Sequence, residues 1–113
     1  TKVIPSLAGR LDGMSIRVPT PNVSLVDFTC EMEKSTDTAG LLEVLQASSG
    51  ESLGFTDEPL VSIDFTGDTH GGVVDAKASQ VLDGTMAKVL AWYDNEAGFT
   101  NQLVRLIKKV ATL

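Results

Sequence analysis

One cysteine, one histidine, one tryptophan and one tyrosine occur in this chain of 113 residues. With Cys30 alone, no internal disulfide is possible, and a reducing, cytoplasmic compartment is the expectation. No stretch approaches the roughly 20 consecutive apolar residues of a membrane helix, and no secretory signal is read at the start. A basic surplus is also missing. Nine Lys and Arg against 15 Asp and Glu leave a net charge of −6, which argues against nucleic acid or an anionic membrane as partner. The small basic cluster Arg105, Lys108 and Lys109 falls in the last turns of a helical pattern, where cations complement the helix dipole. Internal repeats and low-complexity tracts are absent.

What is there is 42% hydrophobic and 21% charged, the balance of one globular domain with a modest core. The opening Thr1-Lys2-Val3-Ile4-Pro5 has no initiator Met and runs an apolar pair into a helix-breaking proline. It reads as the end of an earlier element. Met14, Ile16 and Val18 alternate with Ser15 and Arg17, predicting a strand. Pro19-Thr20-Pro21-Asn22 interrupts ladder pairing, and a longer strand follows from Val23 to about Glu33. Two strands so closely joined are expected to pair antiparallel.

Ser35 or Thr36 is placed to cap a helix whose stripe is Leu41, Leu42, Val44 and Leu45, with Gly50 set to end it. Short strands are predicted near Gly54–Thr56, Val61–Phe65 and Val73–Asp75. Ser79–Leu82 and Met86–Tyr93 flank Asp83-Gly84-Thr85, the strongest hairpin signal in the chain. A final helix is predicted from about Glu96 to Ala111, striped by Phe99, Leu103, Leu106 and Val110.

This order predicts an α+β domain: a mixed, mostly antiparallel sheet with helices on one face. Strand 86–93 is apolar on both sides, so both need cover, and two helices supply only one side. Self-association through the sheet face is therefore expected.

The candidates for chemistry are few. His70 lies near Asp64, Asp68 and Asp75, but a metal site needs three or four ligands in fixed geometry, and a Gly-rich stretch is better read as a solvated loop. Cys30 shares an apolar strand face with Val26 and Phe28, where a thiol stays protonated, so it is read as a core residue rather than a nucleophile paired with His70. Asn22-Val23-Ser24 matches a glycosylation acceptor, with nothing to indicate secretion. Arg17, just before the rigid Pro-Thr-Pro turn, is suited to gripping phosphate, although spacing alone favours a surface ion pair with one of the acidic residues. Trp92 to Phe99 forms a strand-to-helix corner in which Asp94 and Asn95 are both able to cap the helix; Asn95 is also able to turn its amide to a ligand.

Taken together, Arg17-Val18-Pro19-Thr20-Pro21-Asn22-Val23-Ser24 and Trp92-Tyr93-Asp94-Asn95-Glu96 closely resemble the phosphorylating, NAD-dependent glyceraldehyde-3-phosphate dehydrogenases. Gly13-Met14, Pro59-Leu60-Val61-Ser62, Asp64-Phe65, Val74-Asp75-Ala76 and Asp83-Gly84 extend the likeness along the chain in order. The resemblance implies the C-terminal part of the catalytic domain. The family's N-terminal Rossmann domain, its Gly-rich dinucleotide motif, its Ser-Cys-Thr-Thr-Asn segment and its catalytic histidine have no counterpart here.

By resemblance, Arg17 corresponds to the arginine that contacts the substrate phosphate and the attacking inorganic phosphate. Asn95 corresponds to the asparagine bonded to the nicotinamide carboxamide, and Tyr93 to a supporting tyrosine. Phe99 stands where many members have tyrosine. The resemblance implies oxidation and phosphorylation of glyceraldehyde 3-phosphate to 1,3-bisphosphoglycerate, with NAD, in a cytoplasmic homotetramer. No catalytic or metal-binding residue is assigned, and the chain alone is expected to be inactive. An erythrose-4-phosphate dehydrogenase and a non-catalytic, self-associating module are the alternatives.

Overall fold

The computed structural model describes residues 2–113; the reading of the chain's start rests partly on Thr1, outside the described residues. Four strands form one sheet: β1 (Ser24–Glu31), β2 (Leu53–Thr56), β3 (Gly72–Leu82) and β4 (Met86–Tyr93), in the order β1-β4-β3-β2. β4 runs antiparallel to both β1 and β3, whereas β2 lies parallel to β3. Two helices complete the fold, α1 (Thr38–Ala47) and α2 (Ala97–Val110). The predicted α+β class and mixed, mostly antiparallel sheet are what the chain forms.

The β3–β4 hairpin follows from local chemistry. Asp83 and Gly84 both take positive φ, 48° and 74°, as the central residues of a tight turn closed by Thr85 N donating to Leu82 O at 3.3 Å. The break expected between Asp75 and Ser79 is instead an irregularity within one strand. Asp75 pairs with Leu90 and Gln80 with Lys88, so four β3 residues face a single β4 residue. The Ser79 hydroxyl repairs the gap, donating to the Asp75 carbonyl at 2.7 Å and accepting from Leu90 N at 3.0 Å.

The expected strand over residues 14–18 does not form. Residues 11–21 are irregular and exposed, and β1 pairs over eight residues with β4, from Ser24–Tyr93 to Glu31–Met86. Five alternating residues stopped by two prolines cannot match that ladder. The strand expected at Val61–Phe65 is a 3-10 turn, Ser62–Phe65. The Asp64 carboxylate accepts from Val61 N at 2.8 Å, so side chain–backbone bonding wraps this stretch locally. Asp37, rather than Ser35 or Thr36, caps α1, accepting from Gly40 N at 2.8 Å. Val44 on its expected stripe is exposed.

The core sits beside β3 and β4, where Val23, Phe65 and Val73 are buried together with Leu60 and Trp92 against them. Phe65 stacks on Trp92 with ring centroids 5.6 Å apart and planes 12° apart. Towards the outer strand burial falls away: Leu25, Val26 and Phe28 on β1 are exposed, and Cys30 is half-buried rather than in the core.

Candidate functional site

β4 leaves the core at Tyr93, and the chain turns through Asp94 and Asn95 into α2. Asp94 carries this corner. Its side chain is 2% exposed, and one carboxylate oxygen, Oδ1, accepts from Glu96 N and Ala97 N, each at 2.9 Å. These are two of the unpaired donors at the start of α2. The other oxygen, Oδ2, accepts from Gly67 N and from Asn22 Nδ2, each at 2.8 Å. Of the two residues able to cap the helix, Asp94 does so and Asn95 does not.

The bond from Gly67 N, then those from Ala97 N and Glu96 N, hold the Asp94 carboxyl well below its ordinary 3.8, at about 2; burial opposes this, and the Asn22 amide adds to it. Asp94 is therefore a fixed, buried anion joining the Pro-Thr-Pro-Asn turn, the loop before β3 and the first turn of α2.

That join brings the two sequence stretches together. Ser24 pairs with Tyr93 across the β1–β4 ladder, and the Ser24 hydroxyl donates to Asn95 Oδ1 at 3.0 Å. Asn95 itself is exposed, and its Nδ2 has no protein partner among the described residues. Tyr93, Asp94, Asn95 and Phe99 line a cleft of about 340 Å³ with Gly71 and Gln102. Phe99 is 68% exposed at its rim. Arg17 stands on the irregular segment rather than on a strand, exposed and without an ion pair among the described residues.

α2 is seated so that this cleft keeps its shape. Arg105 Nη1 donates to the Thr69 carbonyl at 2.8 Å, and Gln102 Nε2 donates to the Ser52 carbonyl at 3.1 Å. A Cβ on Gly98 would lie 2.6 Å from the His70 carbonyl oxygen, so only glycine admits this approach.

A larger groove, about 520 Å³, runs beside β2 and includes Asp64, Asp68 and His70. His70 Nδ1 meets Asp68 Oδ1 at 2.8 Å, while the Asp75 carboxylate accepts from Trp92 Nε1 at 3.1 Å. Among the described residues no group of three or more His, Cys, Asp or Glu is placed to hold a metal ion. The groove contains neither Arg17 nor Asn95, so its size does not make it the better site.

The sequence model described as "Glyceraldehyde 3-phosphate dehydrogenase, C-terminal domain" matches residues 1–95, which include Arg17, Asn22, Asp94 and Asn95. The chain belongs to the glyceraldehyde-3-phosphate dehydrogenase family. A glyceraldehyde-3-phosphate dehydrogenase of Zymomonas mobilis is 50% identical over 96% of this chain and 34% of its own length. One from Glossina morsitans morsitans is 50% identical over 95% of the chain and 33% of its length, and one from Geobacillus stearothermophilus 44% identical over 97% and 34%. The chain thus spans about a third of the length of the relatives it matches.

Within this dehydrogenase family frame, Asp94 is the residue that reading the sequence undervalued. An Asp between an apolar strand and a helix is a visible capping signal. Its bond to Asn22, 72 residues earlier, leaves no local trace.

Proposed function

We propose that this chain is the C-terminal part of the catalytic domain of an NAD-dependent dehydrogenase. The whole enzyme oxidises and phosphorylates glyceraldehyde 3-phosphate to 1,3-bisphosphoglycerate through a thioester on a cysteine outside residues 1–113. The NAD-binding Rossmann domain likewise lies outside them. The supporting observation is the convergence at Asp94 of the stretch bearing Arg17 and the corner bearing Asn95, in a chain of this family.

Arg17 supplies the phosphate contacts. Its guanidinium presents parallel N–H donors that suit the substrate phosphate and the attacking inorganic phosphate, and no acidic partner among the described residues competes for them. Asn95 holds the nicotinamide carboxamide. Ser24 occupies its carbonyl oxygen, which leaves the Nδ2 donors for a carbonyl acceptor, so the residues present fit that group. Bound NAD supplies the hydride acceptor. Tyr93 and Phe99 border the same cleft and shape its apolar wall.

In the same reading the working enzyme is a cytoplasmic homotetramer. The apolar residues left exposed on β1, Leu25, Val26 and Phe28, support burial against further protein, and light scattering of the intact enzyme tests it. No helix among the described residues is long and apolar enough to cross a membrane.

The deciding experiment is Arg17→Ala in the intact dehydrogenase that carries this chain. Loss of charge-assisted bonds predicts a rise of roughly tenfold or more in KM for both glyceraldehyde 3-phosphate and inorganic phosphate. Unchanged values for both would remove Arg17 from the site. The chain alone, lacking the nucleophile, is expected to give no turnover with NAD, aldehyde and phosphate; turnover above background would refute the fragment reading.

A further inference from the structure

Residues 11–22 carry Arg17 and make few hydrogen bonds within the described residues, in a chain that spans about a third of its relatives' length. Their other hydrogen bonds are local, Gly13 N to Asp12 Oδ1 and Thr20 N to Val18 O. Among the described residues, only the Asn22 Nδ2 bond to Asp94 joins this segment to the remainder. The next residue, Val23, has φ of 70°, a left-handed conformation that a β-branched side chain rarely accepts. It is nonetheless buried, against Phe65 and Val73. Such a conformation persists only where surrounding contacts over-determine it, and here they are the buried valine on one side and the Asn22–Asp94 bond on the other.

We propose that Asn22 is a positioning residue for Arg17, its amide pinned by the buried Asp94 carboxylate so that the left-handed turn at Val23 sends the Arg17 segment off in one direction. The inference rests on the phosphate-binding role of Arg17 proposed above. The carboxylate is a fixed reference point because its other three hydrogen bonds tie it to the loop before β3 and to α2. Asn22 contributes one side-chain donor, and losing it leaves those three bonds in place. Its removal therefore loosens the turn at Asn22 and Val23 while the Asn95 corner keeps its backbone anchors. Arg17 is then aimed less tightly, and binding of both phosphates weakens by the fraction of time it points productively.

The test compares Asn22→Ala, Arg17→Ala and the double variant in the intact dehydrogenase. Asn22→Ala is expected to raise KM for glyceraldehyde 3-phosphate and inorganic phosphate by roughly tenfold, while KM for NAD moves by less than about twofold. In the Arg17→Ala background, Asn22→Ala is expected to add little, because the group it positions is gone. Asn22→Ser, which keeps a shorter donor, is expected to fall between wild type and Ala and serves if the Ala variant does not fold. Effects of Asn22 and Arg17 that multiply, or a parallel rise in KM for NAD, would overturn the positioning role. If Arg17→Ala itself leaves both phosphate constants unchanged, the functional reading fails and takes this inference with it. If only the Asn22 effects are missing, that reading stands and the inference alone is lost.

Discussion

Arg17 and Asn95 stand in opposite kinds of structure. The corner from Tyr93 to Phe99 is tied by backbone and side-chain bonds around a buried carboxylate, with a ladder and a helix on either side. The segment from Leu11 to Pro21 is exposed throughout, with apolar side chains at Met14, Ile16 and Val18 facing solvent. The difference shows that two stretches joined to one carboxylate need not be held equally well within the chain. Among the described residues, the corner is held by several hydrogen bonds to Asp94, whereas the other stretch is joined to it by the one hydrogen bond from Asn22.

The largest expected effect lies on the corner's side. Phe65 is 3% exposed and stacks on Trp92, the residue before Tyr93. Phe65→Ala should cost about 3 kcal/mol, from lost burial and the cavity left behind. Urea unfolding of the chain followed by Trp92 fluorescence measures it; a change below about 1 kcal/mol would mean that this stack does not support the corner.

An acid titration sharpens the comparison without a mutation. The folded-state pKa of Asp94 is depressed from 3.8 to about 2, so its stabilising contribution is complete above about pH 4 and is lost as pH falls towards 2. Protonation removes the anion that Gly67, Ala97, Glu96 and Asn22 all donate to, so the amides of the first α2 turn should exchange faster over that window. In Asp94→Asn this acid-dependent step should disappear; if it remains unchanged, another group is responsible.

The smallest effect belongs to the segment. Ile16 is 77% exposed, and Ile16→Ala should change the chain's stability by less than about 0.5 kcal/mol. Hydrogen exchange should likewise find the amides of residues 11–18 unprotected, while those of β3 and β4 are slow. A cost for Ile16→Ala comparable to that of Phe65→Ala would erase the contrast.

Much of this was legible beforehand where the cause is local. Asp83-Gly84 states its turn directly, the apolar run Met86–Tyr93 marks a strand, and Ala97–Val110 carries helical periodicity with Lys108 and Lys109 in its last turn. The illegible parts depend on competition. Met14, Ile16 and Val18 have the pattern of a strand, but a strand also needs a partner, and β1 takes β4 as its neighbour while its other edge receives none of the described residues. Val61–Phe65 has apolar character suited to a strand, yet the Asp64 carboxylate bonds Val61 N and turns the chain there. Cys30 shares the alternation of a buried face, but at β1 nothing within the described residues covers that face fully.

By itself the sequence determined the elements whose signals lie within a few residues of one another, and the family through the stretches around Arg17 and Asn95. Tertiary structure alone decided that these stretches meet at one carboxylate. A hydrogen bond between Asn22 and Asp94 needs no periodicity and leaves none, because it is made by two side chains that only the β1–β4 pairing brings within 2.8 Å. The same pairing sets Ser24 against Asn95 Oδ1, and among the described residues the amide nitrogen has no partner. Local spacing specifies torsions and faces; which faces and ends come together depends on which strand wins each edge of the sheet.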